Sequence, residues 1–352
     1  MPLPLRYIQI GVGGWGQHWC RQVAPHLKTL GIAEAIGAVD INPSTLAKAK
    51  TQLALPESAL FTDAARALAE LRPDFVTVVV PPAHHEAMIT LAVRQGCHIL
   101  SEKPIADTME ACARVHRLIS DTGLKMAVTM SHRFDQDKQT LQRLIHSGTY
   151  GRLDYIVGRN TWTCRKLGAW GDFRYHIPDP LLIEGTVHHF DIMRALANSN
   201  ARTVHAATWN PPWSEFQGDA QGLILVEMEN GVHVTYEGAK ANATQLNGWT
   251  LDYWRAECEH ATLELDNRKL RVLQQRDSGP KATPLPLDQQ DTWMNPWLAE
   301  LFVRWLQGGP PPPNTLADNI QCAALLFAAI ESAHTRHIVN VQDFLHRHLA
   351  CR

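Results

Sequence analysis

The segment Tyr7-Ile-Gln-Ile10 reads as a short β-strand and runs directly into Gly11-Val-Gly-Gly-Trp-Gly16, after which Gly14 to Leu30 reads as a helix. That order of strand, glycine turn and helix constrains the chain more than any other feature. In Gly11-x-Gly13-x-x-Gly16 the first glycine permits a tight turn, the second lets a pyrophosphate approach the backbone, and the third lets helix and strand pack closely. The helix start offers unpaired N–H groups and a positive dipole end to phosphates. A second strand, Ile32 to Asp40, ends on an acidic residue, where a carboxylate accepts hydrogen bonds from the ribose hydroxyls of NAD and repels a 2′-phosphate. Ile41 and Asn42 supply no arginine to hold such a phosphate. The expectation is a dinucleotide site that prefers NAD to NADP; the plain alternative is an ordinary glycine turn and a solvated aspartate.

The alternation continues. Pro43 to Leu53 reads as a helix with Asn42 as N-cap, Asp63 to Leu71 as a second, and Phe75 to Val80 as a strand buried on both faces. Pro81-Pro82 stops that strand, and Ala83 to Gln95, Cys97 to Leu100, Thr108 to Ser120 and Lys125 to Thr129 follow as helix, strand, helix and strand. Residues 1–130 are therefore expected to form a Rossmann domain, a doubly wound parallel sheet. Residues 131–352 change character. Runs at 153–162, 204–209, 222–229, 232–237, 250–257, 261–265 and 270–274 read as strands with few intervening helices. Leu181 to Ala197, Pro296 to Leu306 and Leu316 to Thr335 read as helices. This half is expected to be an α+β domain with a large, mostly antiparallel open sheet, for substrate binding and oligomerisation.

A net charge of −2 gives no field favouring nucleic acid or an anionic membrane. No fully apolar run approaches the roughly 20 residues that span a bilayer, and Met1 to Tyr7 lacks the pattern of a secretory signal. Seven widely spaced cysteines without a C-x-x-C pair fit reduced thiols, so a cytoplasmic location is expected.

The strand Cys97 to Leu100 ends in Ser101-Glu102-Lys103-Pro104. Loops at the carboxyl ends of parallel strands line the ligand crevice of such sheets. A lysine there either faces the nicotinamide region or is a solvated loop residue. With Val78-Val-Val-Pro-Pro-Ala-His-His85, Gly96-Cys-His-Ile-Leu-Ser-Glu-Lys-Pro104, Ser131-His-Arg-Phe134 and Ser147-Gly-Thr-Tyr-Gly-Arg-Leu153, the chain resembles the glucose–fructose oxidoreductase, inositol dehydrogenase and MocA family. The resemblance implies reversible oxidation of a secondary hydroxyl on a sugar, cyclitol or sugar derivative by hydride transfer to NAD. It implies a homodimer or homotetramer. The cofactor set it suggests is Gly11, Gly13, Gly14, Trp15, Gly16, Asp40, Ile41, Pro81, Pro82, His85, Glu102 and Lys103, with Lys103 catalytic.

In Leu181 to Arg194, helical spacing puts Glu184, His188 and Asp191 on one face. A carboxylate one turn from an imidazole can hold its tautomer and raise its basicity, as a general base for alcohol oxidation requires. The family places an Asp-x-x-x-His here with the histidine as proton acceptor, which falls on His188; Glu184 replaces the usual aspartate and either orients the base or binds substrate hydroxyls. Asp191 orients His188 or stabilises the fold. A metal site from Glu184, His188, His189 and Asp191 is a rival, but adjacent His189 points roughly 100° away, and no metal is expected. Trp162 to His176 is rich in aromatic and basic residues; Arg174 and Tyr175 are candidates for a substrate wall, against a plain surface loop. Two other functions stay open: an enzyme that recycles bound NAD through a transient ketone, for elimination or epimerisation, and a non-catalytic ligand sensor.

Overall fold

The structure, a computed structural model, describes residues 3–350. It has two compact units: one runs to Phe134 and resumes over Asp291–Ile320, and the other comprises Asp135–Gln290 and the chain from Gln321 onward.

In the first unit six parallel strands lie in the order β3-β2-β1-β4-β5-β6, namely Leu60–Phe61, Ala33–Val39, Leu5–Ile10, Phe75–Val78, His98–Ser101 and Met126–Val128. This is the expected doubly wound sheet, and the β4 residues are all buried, as strands covered on both faces are. Asn42 caps its helix by accepting a hydrogen bond from the Ser44 amide, with Pro43 in the first turn. The helix expected over 14–30 is instead assembled from Gly16–His18, a π-helical turn Trp19–Val23, and Ala24–Thr29. Pro25 explains the break: its ring crowds the carbonyl four residues back, and the wider turn before it relieves the conflict.

The sequence alone assigned everything beyond residue 130 to the second domain, yet 291–320 joins the first unit. The helix Met294–Leu306 places Leu298, Ala299, Phe302 and Val303 in that unit's core. Phe302 meets Phe75 edge-on at 5.6 Å between ring centroids, and Phe75 stacks on Tyr7 at 4.9 Å.

The second unit is built on a nine-stranded sheet. Its strands are β7 (Leu153–Thr161), β8 (Ala201–Trp209), β9 (Gln221–Met228), β10 (His233–Ala239), β11 (Tyr253–Cys258), β12 (Ala261–Asp266), β13 (Lys269–Arg276), β14 (Gly279–Leu285) and β15 (Val339–Asn340). The order is β14-β13-β12-β11-β7-β10-β9-β8-β15, and every neighbouring pair is antiparallel except β7 with β10. One face is open: in β9, Ile224 and Val226 are buried while Leu223 and Leu225 are exposed. β14 escaped the sequence because Pro280 and Pro284 interrupt its pattern; it forms an edge, where proline is tolerated.

The expected helix 181–197 is an α-helix only from Val187 to Ala197; Leu181–Thr186 forms a π-helical turn. The helix Leu316–Thr335 is long and apolar enough to cross a membrane, but 67% of its most apolar window is buried in the protein. The six described cysteines are free thiols, and Cys351 lies outside the described residues.

Candidate functional sites

The glycine turn follows β1 and adopts the conformation its sequence demands. Gly11 has φ +87°, and a Cβ there would come within 2.1 Å of the Val79 carbonyl oxygen. A Cβ on Gly16 would meet the Gly11 carbonyl at 2.3 Å. Only hydrogen fits at either position. A Cβ on Gly13 would stand in ordinary contact with Asp40 Oδ2 at 3.4 Å and Thr45 Cγ2 at 3.5 Å, whereas one on Gly14 would meet nothing within 4 Å, so the turn is open at Gly14. The amides of Gly14 and Trp15 donate to nothing among the described residues. A cradle with two orphan donors at the start of a helical segment fits a pyrophosphate.

Asp40 is tied into the same turn. Its Oδ2 accepts from the amides of Val12 and Gly13 at 3.0 Å each, and its Oδ1 from Asn42 at 2.9 Å. A carboxylate has about four acceptor positions, so these three bonds leave room for a ribose hydroxyl. Ile41 is exposed. Gln9, which the sequence did not single out, is buried inside β1 and clamps the turn from below, donating to the Gly11 and Gly16 carbonyls at 3.2 and 2.9 Å.

The turn after β5 is held from both sides. Glu102 Oε1 accepts from the indole Nε1 of Trp15 and of Trp19, each at 2.9 Å. Burial pushes the Glu102 carboxyl up, although Lys103 and the hydrogen bonds from Thr129 and Trp19 oppose the shift. On the other side, buried His85 lies between the carbonyl oxygens of Pro104 and Val80, 2.8 Å from each. His85 therefore braces Val80-Pro81-Pro82 against Lys103-Pro104 rather than presenting a free ring. Lys103 stands between these anchors and is half-buried. Its backbone amide also reaches Glu102 Oε2 at 3.3 Å.

In the second unit, Glu184 and His188 are both buried. The π-helical turn carries Glu184 with less rotation per residue than an α-helix, so face arguments from 3.6-residue spacing do not transfer to it. Glu184 Oε2 accepts from Arg174 Nε at 2.9 Å. The His188 ring meets Trp249 edge-on, 5.1 Å between centroids. Asp191 faces Arg194 at 3.9 Å, and Arg194 also donates to Asn200. Tyr175 is fully buried and its hydroxyl donates to the carbonyls of Cys164 and Lys166. It fixes the 164–176 loop from inside, stacked on Phe216 at 4.1 Å, and its hydroxyl is spent on the main chain.

Behind His188 lies a buried polar web that pattern reading missed. His189 Nε2 is 3.1 Å from Asp252 Oδ1, and its Nδ1 is 2.9 Å from the Tyr236 hydroxyl. Asn160 donates to Asp252 at 2.7 Å, and the Lys138 ammonium lies 3.0 Å from Asp252 and 3.1 Å from Asp137. Burial lowers the His189 pKa against the pull of Asp252. Burial also opposes the charge on Lys138, but Asp252, Asp137 and Asp135 outweigh it and hold the pKa above the ordinary lysine value. Lys138, Asp252 and Asn160 come from three distant segments, so no local motif announces them.

The Gfo/Idh/MocA model described as an oxidoreductase family with an NAD-binding Rossmann fold matches residues 5–130, and the model of the Gfo/Idh/MocA C-terminal domain matches residues 138–262. The chain is 42% identical over 347 residues to the uncharacterized protein y4oX of Sinorhizobium fredii, covering 97% of this chain and 96% of that one. It is 32% identical over 241 residues to inositol 2-dehydrogenase 2 of Saccharopolyspora erythraea, covering 65% of this chain and 66% of the relative. Among curated relatives after y4oX, matches span between 46% and 66% of the relative's length. A solved oxidoreductase from Agrobacterium radiobacter, in complex with NAD+, L-tartaric acid and magnesium, superposes with a TM-score of 0.82 at 19% identity, covering 96% of this chain and 99% of that one.

Proposed function

Because this chain belongs to the Gfo/Idh/MocA family of oxidoreductases with an NAD-binding Rossmann domain, we propose that it oxidises a secondary hydroxyl on a sugar, cyclitol or sugar derivative, reversibly and with NAD in preference to NADP. The observation that carries this reading is the anchoring of the Glu102-Lys103-Pro104 turn. Glu102 is bonded to both tryptophans of the glycine-turn segment, and this fixes a lysine beside the nucleotide cradle. The preference for NAD rests on Asp40, whose negative charge opposes a 2′-phosphate.

Bound NAD supplies the acceptor for the hydride that leaves the carbinol carbon. Lys103 donates a hydrogen bond to the reacting oxygen and stabilises the negative charge that develops there. His188 takes the hydroxyl proton. Trp249 restricts the ring of His188, and the buried web under His189 holds the helix that carries both histidines. Glu184 acts through Arg174, its ion-pair partner.

We also propose self-association through the open sheet face, where Leu223 and Leu225 are 55% and 57% exposed in neighbouring outward positions of β9. The function is tested by incubating the protein with NAD and a panel of polyols and sugars while NADH is followed. Formation of NADH supports the proposal. Tightly held cofactor with no net NADH on any panel member contradicts it and favours a recycled cofactor.

A further inference from the structure

Trp15 carries the one bulky aromatic side chain of the glycine turn, and it is 43% exposed although it is held at two points. Its indole Nε1 donates to Glu102 Oε1 at 2.9 Å. Its ring lies flat on the His18 imidazole, with 4.4 Å between centroids and 8° between planes. Trp19 donates to the same Glu102 oxygen but is 1% exposed and belongs to the core of this unit. Core packing accounts for Trp19. It does not account for Trp15, whose indole is pinned in one orientation with much of its apolar surface left in water.

The side chain of Trp15 runs from the nucleotide cradle to the lysine turn. Its amide is one of the two cradle donors, and the tip of its indole reaches the residue before Lys103. In a dinucleotide only one ribose separates the pyrophosphate from the nicotinamide. A cofactor with its phosphates on the glycine turn and its reacting ring beside Lys103 therefore passes along the Trp15 indole. His18 takes one face of that indole, and no other aromatic ring packs on it among the described residues. Burial, and then the charge of Arg21, lower the His18 pKa, so the backing imidazole is uncharged at neutral pH and does not compete as a cation.

We propose that Trp15 stacks on the nicotinamide and distinguishes its two redox states, holding the oxidised ring more tightly than the reduced one. This deepens, and rests on, the NAD-dependent reading of the glycine turn. The oxidised nicotinamide is a pyridinium cation, whereas the reduced ring is neutral, and indole is the side-chain ring that attracts a cation most strongly. The attraction corresponds to about 2- to 30-fold in affinity, with the upper end where water is excluded. The bound cofactor is thereby biased toward the form that accepts a hydride, and NADH leaves more readily once formed.

The test titrates wild type, Trp15→Leu and Trp15→Phe with NAD+ and with NADH by calorimetry, and measures turnover on the polyol and sugar panel separately. Both substitutions remove the hydrogen bond to Glu102, but only Trp15→Leu removes the aromatic face. Neither empties a core position, because Trp15 is exposed. The ratio of NAD+ affinity to NADH affinity should fall by about 2- to 30-fold in Trp15→Leu and by less in Trp15→Phe. An unchanged ratio in Trp15→Leu overturns the proposal, and so does an equal shift in both variants, which would assign the effect to the hydrogen bond. Failure of wild type to bind either cofactor overturns it together with the cofactor reading. A ratio that shifts as expected without oxidation of any panel member leaves this inference standing and removes the alcohol-oxidation reading. Oxidation with an unchanged ratio does the reverse.

Discussion

Glu102 and Trp19, 83 residues apart in sequence, are joined by a 2.9 Å hydrogen bond from the indole Nε1 to Oε1, the same oxygen that accepts from Trp15. The bond makes the lysine turn and the glycine turn one mechanical piece. Glu102→Ala leaves the buried Trp19 donor unsatisfied and should cost about 1–3 kcal/mol of stability, read by chemical denaturation. Glu102→Gln keeps an oxygen acceptor. Because the folded pKa of Glu102 lies above its unfolded value, its stabilising contribution is present below the ordinary carboxylate range and lost as pH rises through the folded value. Glu102→Gln removes that loss, so near pH 7 it should be at least as stable as wild type. Equal destabilisation by both substitutions would show that the bond is dispensable.

Gly11→Ala puts a methyl 2.1 Å from the Val79 carbonyl oxygen at a positive φ. The turn has to move away from β4, and NADH affinity should fall by about 100-fold or more, with stability reduced by several kcal/mol. Fluorescence titration with NADH checks this; wild-type affinity would mean that the turn does not carry the nucleotide.

Asp40→Ala removes two bonds to the turn amides along with the negative charge. NADH binding should weaken by about 10- to 100-fold while NADPH binding changes little or improves, and adding Ile41→Arg should shift preference further toward NADPH. Paired titrations of both cofactors decide it. An unaltered NADH-to-NADPH ratio would remove Asp40 from cofactor choice.

His189 gives the second unit a pH dependence. Burial depresses its folded pKa below the unfolded value of about 6.5. The unfolded chain therefore binds the proton first, and stability is full above that value and lost as pH falls toward the depressed one. Denaturation midpoints across the acidic range should decline less steeply in His189→Gln than in wild type. Parallel curves would place the titration elsewhere.

The sequence disclosed the parts of this protein that are written locally. The glycine turn, the acidic end of β2, the Glu-Lys-Pro turn and the His188 segment each occupy a few consecutive residues, and the alternation of β1 to β6 with helices is plain in the hydrophobic pattern. What stayed hidden depends on distant chain meeting. Helix 294–306 joins the first unit because Phe302 packs on Phe75, a contact that hydrophobicity announces without naming its partner. Lys138, Asp252 and Lys240 look like ordinary polar residues until the nine-stranded sheet buries them together. The π-helical turns at Trp19–Val23 and Leu181–Thr186 shift side-chain facing that a uniform helical period assumes. Tyr175 resembles a sugar-stacking residue by composition, but its hydroxyl holds the loop main chain.

We propose that Lys103 and His188 together carry out alcohol oxidation with NAD. The most direct measurement is the rate of NADH formation by wild type, Lys103→Ala and His188→Ala on the best substrate from the panel, across a range of pH, with NADH binding measured in parallel. Each substitution should lower kcat by about 100-fold or more while NADH affinity stays close to wild type, and His188→Ala should recover partly as pH rises and solvent replaces the missing base. Turnover near wild type in either variant would contradict the account.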